Sequence, residues 1–185
     1  MWMLKSLSAA IARAETALGA LLGVAVMGLI LLNVVTRTLG SALFWVDETA
    51  VTAMVWMAFL GGSVAVHHRS SVSVTLLPDA LQGGLKNALR LLVDLIILGF
   101  FVVLLVLCLT WYDPLTLARL GFDLNAFSGA TFNFIYKEVS TTLGVPKFWL
   151  WLIVPIFAVN GTVHALANLM QPASEALTSA EPEIS

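Results

Sequence analysis

Three groups of residues in this chain carry side chains able to do chemistry. His68 and His164 each stand near the end of an apolar run, and two such histidines facing one another from different helices could ligate a haem, as in the membrane anchors of respiratory dehydrogenases. A plainer reading is available: His67, His68 and Arg69 look like the polar exit of a helix, and His164 like a side chain bonded to a neighbouring helix. The second group is Lys86, Arg90 and Asp94, which fall on one helical face at intervals of four. A carboxylate inside an apolar helix is by default a candidate ion or proton site, but Asp94 lies within a turn of the helix entrance, where an interfacial pair with Arg90 accounts for it. The third and densest group is Asn33 and Arg37, followed by Trp45, Asp47 and Glu48. Asp47 and Glu48 open a helix, where free N–H groups and a partial positive charge favour carboxylates, and Arg37 is close enough along the chain to pair with one of them.

The elements that hold these groups are written in the hydropathy. Four apolar runs, Ala17–Val35, Thr49–Val66, Leu91–Trp111 and Phe148–Leu169, contain a single formally charged residue, Asp94. A helix of about 20 apolar residues covers the roughly 30 Å hydrocarbon core of a bilayer, and each run is near that length. With 59% hydrophobic and only 11% charged residues, the composition lies far from that of a soluble domain. The runs are too long and continuous for the alternating strands of an outer-membrane barrel. The expected fold is all-α: an integral membrane protein of four helices, residues 1–170 forming one membrane domain.

The rest of the chain fits round these spans. Residues before Glu15 place Trp2, Leu4, Leu7 and Ile11 near helical spacing, with Lys5 and Arg13 between, as in a short amphipathic helix lying in the membrane interface. A cleaved signal peptide is disfavoured, because the run after Ala17 exceeds an ordinary h-region and lacks a clear small-residue cleavage site. With the amino terminus inside, Lys5, Arg13, Arg69, Lys86 and Arg90 are cytoplasmic, against Arg37, Arg119, Lys137 and Lys147 outside, which favours both termini in the cytoplasm. The stretch from His67 to Arg90, with Pro78 and Gly83-Gly84, suits a turn and a new helix start. Residues 113–147 form a long external connection whose Phe122, Phe127, Phe132, Phe134 and Tyr136 are too apolar for a disordered linker, so it packs on the outer membrane surface or against a partner. The tail 171–185, with Pro172, Pro182 and several Glu, reads as disordered and cytoplasmic.

Several features are silent. Cys108 has no partner for a disulfide and reads as a small buried residue. Gly19 and Gly23 form a small-xxx-small pair, and Gly61 and Gly62 thin the second span. Asn160-Gly-Thr162 matches a glycosylation acceptor but falls inside a span. Pro155 should kink the last span, and Trp149 and Trp151 read as an interfacial belt. No phosphate loop, Walker signature, ligand cluster or nucleophile motif occurs, so no enzyme and no cofactor is expected. A net charge of −2 without a basic cluster argues against nucleic acid as a partner.

Asn33-Val34-Val35-x-Arg37, Phe44-Trp45-x-Asp47-Glu48, Trp56-x-x-Phe59-Leu60-Gly61-Gly62 and a basic exit leading to Ser73-Val74-x-Leu76-Leu77-Pro78 occur in order. Together they resemble the small membrane subunit, the DctQ-type small permease, of tripartite ATP-independent periplasmic (TRAP) transporters. The resemblance is strongest over Asn33 to Pro78, extends through the hydropathy of the third span, and returns from Gly144-Val145-Pro146 and Trp149 to Pro155. It implies a secondary transporter of the bacterial inner membrane, in which a periplasmic binding protein captures an organic acid and a large permease subunit moves it inward with sodium. The small subunit would then hold no transport site and would brace the large one in the lipid bilayer. Carried over by position, Arg37, Trp45, Asp47 and Glu48 would form a structural polar cluster at the periplasmic end. Asp47 stands where a glutamate is more usual, and the 113–147 connection is longer than the family pattern. A self-sufficient small transporter remains as a third reading, opposed by the single intramembrane carboxylate and the lack of a visible inverted repeat.

Overall fold

In a computed structural model, residues 2–69 and 84–170 are described. They form seven helices: α1 (Trp2–Thr38), α2 (Phe44–His68), α3 (Gly84–Tyr112), α4 (Pro114–Arg119), α5 (Leu124–Thr131), α6 (Lys147–Trp151) and α7 (Ile153–Leu169). Four helical segments, α1, α2, α3 with its continuation, and α6 with α7, are long and apolar enough to cross a membrane. Among the described residues no strand forms, only an isolated bridge between Val139 and Pro146. The expected turn at Pro78 and the expected disordered tail 171–185 lie outside the described residues.

The first helix departs from expectation. The segment before Glu15 is not a separate interfacial helix: α1 runs unbroken for 37 residues, roughly 55 Å at 1.5 Å per residue. Ser8, Ala12 and Glu15 point into the bundle while Trp2, Met3 and Leu7 stay exposed. In lipid the usual amphipathic logic inverts, because apolar side chains are at home outside and polar ones need partners inside.

The helices pack in the order α1, α2, α7, α3, with α1 also reaching α7. Small residues line the contacts: Ala50 and Ala53 on α2, and Ala158 and Ala165 on α7, are buried. The tightest approach is at Gly161, where a Cβ would lie 2.0 Å from the Phe101 ring. The glycine that completes the apparent glycosylation acceptor is there to admit α3. Gly23 faces the Met57 sulfur, but Gly19 faces open space, so that pair does not act as one contact. Phe157 meets the edges of Phe59 and Phe101 at 5.2 and 5.0 Å. Pro155 acts as expected: lacking an N–H and crowding the carbonyl four residues back, it separates α6 from α7 at Leu152.

The 113–147 connection folds onto its own chain. Asp113 caps α4 by accepting from the Thr116 N–H at 3.2 Å, and Asp123 caps α5 by accepting from Asn125 and Ala126 at 2.8 and 3.1 Å. Those N–H groups hold the Asp123 carboxyl below its ordinary range. Phe127 is buried against Tyr136, whose hydroxyl donates to the Tyr112 carbonyl at 2.6 Å. Asn133 donates to the Trp111 carbonyl at 2.6 Å, and Tyr112 to that of Phe148 at 3.1 Å. Burial pushes the Tyr136 phenol up.

Candidate functional sites at the two ends of the bundle

The antiparallel order brings the C-terminal end of α1, the start of α2 and the 113–147 connection together at one end. At the other end it gathers the start of α1, the close of α2, the start of α3 and the close of α7. Both described chain ends, Trp2 and Met170, lie at this second end.

At the first end Asn33, Arg37 and Asp47 close a three-membered ring. Arg37 donates through Nε to the Asn33 side-chain oxygen at 2.7 Å and through Nη2 to Asp47 at 2.6 Å, and the Asn33 amide donates to the other Asp47 oxygen. Asp47 and Glu48 stand one turn inside α2, and both are claimed by distant partners rather than by the helix's own N–H groups. Glu48 accepts from the backbone N–H groups of Thr141, Thr142 and Leu143 at 3.2, 2.8 and 3.0 Å and from the Thr142 hydroxyl. Its carboxylate therefore pins the turn before Gly144 to the bundle. Trp45 is partly exposed and lines a groove with Phe44 and Thr142.

At the second end a further partner joins the expected pairing. Spacing offers Arg90 to Asp94, and Arg90 does stand one turn before it, but the fold also brings Arg69 from α2 to Asp94 at 3.0 Å. Arg69 ends α2 in the left-handed region, with φ 52°, and this turn carries its guanidinium across to α3 and α7. It also donates to the Asn168 carbonyl, while the Asn168 amide donates to the Val66 carbonyl at 2.7 Å. The Arg69 Nε is buried without a partner among the described residues. It borders a cavity of about 30 Å³ lined by Val66, Asp94, Ile97, Ala165 and Asn168, room enough for one water.

Deeper in the same end lies a cluster that spacing did not reveal. His164, fully buried, has Nδ1 2.8 Å from the Ser8 hydroxyl and Nε2 3.2 Å from the Glu15 carboxylate. The Ser8 hydroxyl is equally 2.8 Å from His67 Nδ1, and Asn160 donates to Glu15 at 2.9 Å. Asn160 stands just past the middle of the 23-residue segment Lys147–Leu169, so its partner Glu15 is buried well inside the bundle. The expectation that Asp94 is the only carboxylate within the spans is thereby corrected. With both ring nitrogens of His164 engaged, the arrangement gives the haem reading no support. Among the described residues no group of three or more His, Cys, Asp or Glu is arranged to hold a metal ion.

The comparisons agree with the motifs. No curated protein matches the chain. The family model for the DctQ component of tripartite ATP-independent periplasmic transporters matches residues 26–175, a span that holds Asn33, Arg37, Asp47, Arg69, Asp94 and His164 but begins after Ser8 and Glu15. A match over most of the chain, on four helices able to cross a membrane, makes this a multi-pass membrane protein that belongs to the DctQ component family of TRAP transporters.

Proposed function

We propose that this chain braces the large permease subunit of a TRAP transporter in the bacterial inner membrane, and that it supports the periplasmic binding protein during sodium-coupled uptake of an organic acid. Both termini then face the cytoplasm, and the end bearing Arg37, Asp47 and Glu48 faces the periplasm. Asn33, Arg37, Trp45, Asp47 and Glu48 serve as the structural and contact cluster of that face, and Arg69, Arg90 and Asp94 as the anchor of the cytoplasmic one.

The observation that carries this reading is closure. Glu15 is met by His164 and Asn160, Arg69 by Asp94, and Arg37 by Asp47, so these charged groups point at one another and not along a path through the bundle. The outer helices α1 and α3 meanwhile leave long apolar faces uncovered, among them Leu21, Val24, Met27 and Leu31 on α1 and Phe100, Val103 and Leu107 on α3. Faces of this kind suit lipid and a neighbouring membrane subunit.

Affinity purification of the chain from its native membrane, followed by reconstitution, tests the proposal. A much larger membrane protein should accompany it, and uptake into proteoliposomes should require that protein and the binding protein. Recovery of only a free chain that transports unaided would overturn it.

A further inference from the structure

The cluster of Ser8, Glu15, His67 and His164 lies at the second end of the bundle, and half of it lies before the family match begins. Its hydrogen bonds leave few options. An ionised Glu15 has no hydrogen to give, so His164 Nε2, 3.2 Å away, carries one and donates it. The Ser8 hydroxyl sits 2.8 Å from both His67 Nδ1 and His164 Nδ1 and owns a single hydrogen. It can donate to one ring nitrogen only, and the other must donate to it.

We infer that Glu15, His164, Ser8 and His67 form a buried binding site for one exchangeable proton, held on His164 against Glu15 and loaded from His67 through the Ser8 hydroxyl. The transfer balances. A proton taken up at His67 Nε2 makes that ring doubly protonated. Its Nδ1–H bond then breaks as a new O–H bond forms on Ser8, and the hydrogen Ser8 held before passes to His164 Nδ1. His67 ends neutral and His164 ends as an imidazolium beside a carboxylate.

Burial explains why the proton stays. A bare carboxylate in the interior of a membrane bundle is costly, whereas Glu15 facing an imidazolium makes a pair of zero net charge. The other charged groups at this end are placed to leave that pair alone. Arg69 on α2 is engaged with Asp94 on α3, where Arg90 also lies, and Asn160 and Asn168 on α7 are neutral. Arg13 and His68 line a groove with Ala9, Thr16 and His67, which gives the His67 end a route to solvent, and Lys5 lies further toward the start of α1. Past Asn160 the next turn of α7 presents Phe157, edge-on to Phe59 and Phe101. The site therefore stores a proton and does not pass it across the membrane. Because its groups come from α1, α2 and α7, its charge state fixes how firmly the first third of α1 is held.

The chain has three histidines, which makes a direct observation practical. The full chain, labelled with ring-¹⁵N histidine and purified through a histidine-free tag, is reconstituted in lipid bilayers for solid-state NMR. One histidine should show two protonated ring nitrogens, and His164→Gln should remove that signal. Glu15→Gln, nearly isosteric, should convert the same ring to a single protonated nitrogen, which keeps the test decisive if the His164 variant does not fold. Ser8→Ala should slow exchange of the His164 ring proton with solvent. A singly protonated His164 in the unaltered chain, or a spectrum indifferent to Glu15→Gln, overturns the site; unchanged exchange in Ser8→Ala overturns the loading route.

Discussion

The two ends of the bundle use the same chemistry in different surroundings. Each holds an arginine–aspartate pair joined to an asparagine, yet the side chains of Arg37 and Asp47 are 57% and 45% exposed, while those of Arg69 and Asp94 are 17% and 10% exposed. Water competes for the first pair and screens it, so its contribution to the fold is about 0–1 kcal/mol. The second pair is desolvated, and losing one partner strands the other charge at a cost of about 3–5 kcal/mol. An ion pair that hardly stabilises its own fold is free to serve as a contact surface, whereas one that cannot be broken cheaply serves as an anchor. The Arg37–Asp47 end therefore reads as the face for partners and the Arg69–Asp94 end as the clamp of the bundle.

This contrast can be broken most forcefully at Asp94. Asp94→Ala should destabilise the detergent-purified chain by about 3–5 kcal/mol in a denaturation series, while Asp47→Ala should cost no more than about 1 kcal/mol; equal losses would erase the distinction. Between the two ends, Gly161→Ala should cost about 1–3 kcal/mol through the clash with Phe101 and be partly rescued by Phe101→Leu, which shows how much of the clamp is apolar packing. At the Arg37–Asp47 end, Glu48→Gln should speed amide hydrogen exchange at Thr141, Thr142 and Leu143 and leave exchange at the Arg69–Asp94 end unchanged. The smallest effect belongs to the Asp123 cap. Its carboxyl is held below the ordinary range, so its contribution is fully present at neutral pH, begins to fall as the pH drops through the ordinary carboxylate range, and is gone once the pH lies below the lowered folded value. Exchange at Asn125 and Ala126 should rise in that acid window, and Asp123→Asn should abolish the rise.

The Arg37–Asp47 end was easier to read from sequence than the Arg69–Asp94 end. The four apolar runs announce helices because lipid demands length and apolarity in one continuous stretch, and Arg37 and Asp47 are ten residues apart across a single turn. Glu15 escaped notice because it stands just before the apolar run at Ala17, and its partners Asn160 and His164 are 145 and 149 residues away. One signal was present: Ser8, Ala12 and Glu15 share a helical face, so a carboxylate stands in line with a hydroxyl and a small residue. In a membrane a polar face of this kind belongs inside, against partners on neighbouring helices. The Arg69–Asp94 contact was hidden for another reason, since it depends on the left-handed turn at Arg69, which hydropathy does not encode.

The proposed role of the Asn33–Arg37–Asp47 ring is to serve a partner and not the fold. Co-purification of the large permease subunit with the chain, compared between the unaltered protein and Arg37→Ala, tests it most directly. The account predicts a marked loss of the large subunit while the chain's own thermal stability stays within about 1 kcal/mol of the original. Undiminished co-purification and uptake, with Arg37 gone, would contradict it.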